Sequence, residues 1–125
     1  LDSYIASRQR AAAFYDNAFA GNPHLLIPTR SADSTHVFHQ YTLRLIDVDR
    51  DALRNALAEK GIPAMVYYPI PLHMQKAYQD PRYQTGDFPI AEKLADCVLS
   101  LPMHTELDEE QLTYICNHVL AFVNQ

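Results

Sequence analysis

The stretch Val66-Tyr67-Tyr68-Pro69-Ile70-Pro71-Leu72-His73-Met74-Gln75-Lys76-Ala77-Tyr78 leaves a strand pattern and cannot continue as a helix. Pro69 and Pro71 fix φ and remove two backbone donors, so the segment reads as a stiff loop. Such a loop holds His73 and its tyrosines at a defined place. They are either core filling behind a proline-stiffened connection or the lining of a binding loop, and ordered loops carry function disproportionately.

Working upstream, Ala64 to Tyr67 reads as a short apolar strand that feeds this loop. Before it, Asp49 to Lys60 is an amphipathic helix with Leu53, Ala56 and Leu57 inward, Asp49 or Asp51 at its start, Gly61 as C′ and Pro63 beyond. His36 to Ile46 alternates, which predicts a strand with Val37, His39, Tyr41, Leu43 and Leu45 toward the core. Phe38, Gln40, Thr42 and Arg44 then face the other way. Strand, helix and strand make a split β-α-β opening, with a smaller strand expected at His24 to Ile27 and a polar loop at Ser31 to Thr35. The chain starts with a helical stripe of Leu1, Ile5, Ala12, Tyr15 and Phe19, interrupted by Arg8 and stopped by Gly21 and Pro23. That helix is already running at residue 1 with no methionine or N-cap residue before it, so the expectation is a piece of a longer chain.

Downstream, Tyr78 to Gly86 has no periodicity and is expected at the surface. Phe88 to Val98 places Ile90, Leu94 and Cys97 at helical spacing, with Pro89 tolerated in the first turn. Val98 to Leu101 reads as a buried strand ended by Pro102. In the last helix Asp108 and Gln111 have the spacing of a capping box, Leu107 can staple on Leu112, and Leu112, Ile115, Cys116, Val119 and Val123 form the inner stripe.

A chain of 125 residues with 48% hydrophobic content is one domain's worth with a core of its own. Fifteen acidic residues against ten basic ones give a net charge of -5, which disfavours a nucleic-acid footprint. No run of apolar residues is long enough to span a bilayer. Cys97 and Cys116 lie on apolar helix faces and read as reduced core thiols, and the expected location is the cytoplasm.

Candidate chemistry is sparse. Three glycines leave no room for a glycine-rich phosphate loop, and there is no G-x-S-x-G elbow. His36, His39, His73 and His104 lack the spacing of a metal set, so no metal site is expected. Lys60, Lys76 and Lys93 are the only possible imine formers, and none sits where burial would depress its pKa. His39 and Tyr41 are the polar members of an otherwise apolar strand face, readable as a satisfied histidine and a rim tyrosine or as ligand contacts.

The run from Gly61-Ile62-Pro63 through Tyr68-Pro69-Ile70-Pro71-Leu72-His73-Met74-Gln75-Lys76-Ala77-Tyr78, then Phe88-Pro89-Ile90-Ala91-Glu92 and Leu99-Ser100-Leu101-Pro102-Met103-His104, resembles the C-terminal part of the DegT/DnrJ/StrS-type sugar aminotransferases. Phe38-His39-Gln40-Tyr41-Thr42 and the opening helix with Arg8, Arg10, Ala12 and Tyr15 fit the same pattern, so the resemblance runs along essentially the whole chain. It implies the aspartate aminotransferase fold of pyridoxal-phosphate enzymes. Residues 1–125 would be its small C-terminal domain, an α/β sandwich with a small, mostly antiparallel sheet and helices on one face.

The implied activity is transfer of an amino group from an amino acid, glutamate by expectation, to a keto sugar nucleotide in a homodimeric enzyme of polysaccharide or deoxyaminosugar biosynthesis. A UDP-linked 3-oxo derivative of N-acetylglucosaminuronic acid is the first expected substrate and a dTDP-linked keto-deoxyhexose the next. The resemblance assigns the cofactor lysine, its carboxylate partner and the phosphate cradle to a large domain that this chain lacks, so no catalytic or cofactor-binding residue is expected here. It carries over His73, His39, Tyr41 and Tyr68 as substrate contacts converging on one cleft. The alternatives are a stand-alone ligand-binding or regulatory module of the same fold, or a pure packing domain.

Overall fold

The computed structural model describes residues 1–125. The long helix α1 (Asp2–Phe19) leads into a short strand β1 (Leu25–Leu26), followed by β2 (Tyr41–Leu45), helix α2 (Arg50–Glu59), helix α3 (Pro89–Cys97), strand β3 (Val98–Leu101) and helix α4 (Glu109–Val123). The sheet has three strands in the order β1-β2-β3, and both pairings are antiparallel. Helices α1 and α2 pack on α4, and Tyr15, Phe19, Leu43, Leu53, Leu57, Leu99 and Val119 are fully buried among them.

Local chemistry explains the ends of these elements. Asp49 caps α2 by accepting from the Ala52 amide at 2.9 Å, and Gly61 takes the positive φ of 72° that ends it. The capping box of α4 is present in both directions: Gln111 N donates to Asp108 and Asp108 N to the Gln111 side chain. Pro89 opens α3, where its missing N–H costs nothing. At the other end of α3 Arg50 donates to the carbonyls of Ala95 and Val98, which places a cation where the helix leaves unpaired acceptors. Helix α3 then passes straight into β3.

Three expectations need correcting. The strand begins at Tyr41 rather than His36, because Phe38 adopts a positive φ of 50° and turns its ring inward. Phe38 is therefore buried, while Val37 and His39 are exposed instead of lying on the core face. The expected strand at Ala64 to Tyr67 is reduced to a single antiparallel bridge between Met65 and Ser100. Pro63 and Pro69 on either side can donate to no ladder, which limits the pairing to that point. Finally, Ile90 is 76% exposed, and α3 packs through Ala95 and, in part, Leu94.

The stripe of α1 is buried only from Ala11 onward, and Leu1 stands free. Eighteen residues of helix reach about 27 Å, whereas the five residues of β2 cover roughly 17 Å, so the sheet cannot roof the whole helix.

Candidate functional site

Between the Met65 bridge and α3 the chain makes a long excursion, with single 3₁₀ turns at Leu72–Met74 and Lys76–Tyr78. Pro71 sets the first turn, and the Met74 amide closes it on the Pro71 carbonyl at 2.9 Å. Tyr68, Ile70, Leu72 and Tyr78 all stand exposed along it.

Three adjoining hollows follow this excursion. The middle one, of about 610 Å³, is lined by Tyr67, Tyr68, Ile70, Leu72, Tyr78 and Leu94 among others. A second, of about 490 Å³, shares Leu72, Tyr78 and Ala91 with it and adds His73, Tyr83 and Phe88. The third, of about 390 Å³, shares Tyr67 and adds His39, Met65, Met103 and His104. His39 and His73 thus lie at opposite ends of one row, with Tyr67 and Tyr68 between them. The structure does not bring the two histidines together, so the single cleft expected from sequence is a row of hollows.

His73 is held on two sides. Its side chain is 8% exposed, and its Nε2 lies 2.9 Å from Glu92 Oε1 at the start of α3. The ring also packs on Phe88, with centroids 4.8 Å apart, and Phe88 packs on Tyr83. Both oxygens of Glu92 accept from the Gly86 amide, at 2.8 and 3.1 Å. The Gly86 amide first, and His73 second, hold the Glu92 carboxyl below the usual carboxylate range. Asp80, on the wall of the same hollow, is paired with Arg82 and is likewise held low.

Tyr41 is placed differently. Its ring is fully buried and lines none of the three hollows, and its hydroxyl donates to Asp16 Oδ1 at 2.7 Å. Burial, and then the bond to Asp16, push its phenol far above the ordinary tyrosine range. The other Asp16 oxygen is bound by Arg30, whose guanidinium lies 4.3 Å from the centroid of the Phe38 ring. Tyr41 therefore ties the start of β2 to α1, and Arg30 ties the loop before it to the same carboxylate. Tyr68, in contrast, is 75% exposed.

Sequence reasoning missed Glu92 as the partner of His73, and Asp16, Tyr67, Met103 and His104 as members of these sites. Glu92 is 19 positions from His73, a separation that carries no periodic signal.

Residues 1–120 match the model of the DegT/DnrJ/EryC1/StrS aminotransferase family. The chain is 45% identical over 115 residues to a UDP-N-acetyl-3-dehydro-alpha-D-glucosamine 3-aminotransferase of Acidithiobacillus ferrooxidans, covering 92% of this chain and 30% of that protein. It is 41% identical over 124 residues to a pleiotropic regulatory protein of Geobacillus stearothermophilus, covering 98% of this chain and 33% of the other. Its fold is similar to the crystal structure of S. venezuelae DesV in complex with a ketimine intermediate, with a TM-score of 0.92 and 33% identity over 99% of this chain and 33% of that one. The chain spans about a third of the length of the curated relatives it matches. It belongs to the DegT/DnrJ/EryC1/StrS aminotransferase family.

Proposed function

We propose that this chain is the small C-terminal domain of an aminotransferase that moves an amino group from an amino acid, glutamate first, to a keto sugar carried on a nucleotide. The observation that carries the reading is the match to the aminotransferase family along residues 1–120, in a chain a third as long as its relatives. Enzymes of this family depend on pyridoxal phosphate. The residues present here do not fit that group on their own: Lys60, Lys76 and Lys93 are all exposed, and no amine sits in the desolvated place that would make it an imine former near neutral pH.

What the chain offers instead is a wall. The row of hollows from His39 to His73 has aromatic and aliphatic sides, which suit a flat base and a sugar ring, with histidine nitrogens at its ends to fix orientation. His73, His39 and Tyr68 are the proposed substrate contacts. Tyr41 keeps a supporting place, because its hydroxyl is already engaged by Asp16. A UDP-linked acetamido sugar oxidised at C3 is the first proposed substrate, supported by the 45% identity to an enzyme named for such a sugar. The exposed apolar residues Tyr68, Ile70, Leu72, Tyr78 and Ile90 support a further proposal, that the rest of a homodimeric cytoplasmic enzyme covers this face.

The test is to express the complete reading frame that contains this segment, load it with pyridoxal phosphate, and supply glutamate with UDP-linked or dTDP-linked 3-keto sugars. Formation of a nucleotide-linked amino sugar together with 2-oxoglutarate, read by mass spectrometry, is the expected result. No amino sugar from any of these acceptors would overturn the reading.

A further inference from the structure

A carboxylate can only accept hydrogen bonds, so the 2.9 Å contact between His73 Nε2 and Glu92 Oε1 requires the proton to be on Nε2. Nδ1 has no partner within the chain and keeps some access to solvent, although the side chain as a whole is only 8% exposed. With Nε2 turned to Glu92, Nδ1 is the ring nitrogen left free, on a side chain that lines both the hollow of Leu72, Tyr78, Tyr83 and Phe88 and a neighbouring one with Met74, Gln79 and Gln84. Glu92 is itself fixed: it lies in the first turn of α3, and the Gly86 amide spans both its oxygens. Phe88 closes one face of the imidazole and restricts rotation of the ring.

We propose that Glu92 is a positioning residue that holds His73 in its Nε2–H tautomer and presents Nδ1 as a hydrogen-bond acceptor to a hydroxyl or amide donor of the bound sugar nucleotide. A histidine's second nitrogen is set by the bond its first one makes, and a carboxylate leaves no choice of tautomer. The inference deepens the function proposed above and rests on it in one respect, that His73 faces the substrate.

The tautomer can be read directly in the ¹⁵N-labelled chain from long-range proton–nitrogen spectra of the imidazole, followed upward in pH until the ring carries a single proton. The expected pattern is a protonated Nε2 and a bare Nδ1. Glu92→Gln keeps an acceptor for the Gly86 amide, yet its side-chain amide can donate as well as accept, so both tautomers become populated. Glu92→Ala gives the same mixture and also releases the Gly86 amide to solvent exchange. A wild-type ring protonated on Nδ1, or a tautomer pattern unchanged in both variants, would overturn the proposal, and the wild-type spectrum decides even if a variant fails to fold. In the active aminotransferase, Glu92→Gln is expected to raise KM for the sugar nucleotide about threefold to tenfold, more than it lowers kcat, as loss of one well-placed hydrogen bond would. A lost tautomer preference with an unchanged KM would remove His73 from the substrate site and leave its positioning by Glu92 standing.

Discussion

Asp16 joins three parts of the molecule through one carboxylate: it sits on α1, accepts from the Tyr41 hydroxyl at the start of β2, and binds Arg30 in the loop between them. Arg30 in turn lies over Phe38, which is how a ring held at positive φ comes to be buried before the strand begins. Left-handed φ at a bulky residue costs on the order of 1–3 kcal/mol, and this cluster supplies contacts that offset it. Tyr41→Phe removes the donor to Asp16 and keeps the ring, so a loss of about 1 kcal/mol is expected in urea unfolding. No change in midpoint would show that the hydroxyl is not part of the tie. Burial also pushes the phenols of Tyr15 and Tyr41 far above the ordinary range, and the Tyr15 hydroxyl donates to the Pro102 carbonyl at 2.8 Å. Because these pKa values are raised in the folded chain, their contribution to stability is complete below about pH 10 and is lost as pH rises further, where the unfolded phenols ionise first. Of the eight tyrosines, these two should give their phenolate absorbance only together with loss of the fold. Eight phenolates appearing in a still folded protein would contradict this.

Helix α4 is the element whose start depends most on a few side chains. Its capping box satisfies two otherwise unpaired amides, and Glu109 and Glu110 add negative charge where the helix dipole favours it. Asp108→Ala should cost about 1 kcal/mol, measured as a shift of the denaturant midpoint at constant slope, while Glu109→Ala should cost far less. Equal effects would mean that charge rather than the cap matters. This helix was legible in the sequence because its signals are local: the cap residues lie three apart, and the stripe repeats with the helical period. Strand β2 was only half legible. Alternation from Val37 to Leu45 is a fair strand pattern, but the inward turn at Phe38 goes with its packing under Arg30, which Asp16 on α1 holds, and no period in the sequence marks that contact. Likewise Ile90 fits the helical spacing of α3, and no sequence signal says that the first turn of that helix stands clear of the core. The candidate site shows the same division. His73 and Tyr68 were visible as residues of a proline-stiffened loop, whereas the Glu92 partner of His73 and the separation of His39 from His73 depend on how α3 and the excursion fold back.

At the scale of the whole molecule the chain has two unlike sides. One holds a shared core in which α1, α2 and α4 pack together with the sheet. The other carries the excursion with its row of hollows and exposed aromatic rings. This uncovered apolar surface is the feature on which the proposal of a wall covered by the rest of the enzyme rests. The lysines agree with that division. Lys60 lies just past the end of α2, Lys76 opens a 3₁₀ turn and Lys93 lies on the outer side of α3, and all three are exposed. An amine out in solvent has no pocket around it to hold an aldehyde or to shield an imine from hydrolysis, so any imine formed there is transient. The chain mixed with pyridoxal phosphate and passed through a desalting column should therefore emerge without imine absorbance. Borohydride added before the column should label the three lysines to similar, low extents. A yellow protein that survives desalting, with reduction trapping one lysine far above the others, would mean that this domain holds the cofactor itself, and Lys76, in the same excursion as His73, would be the residue to map first.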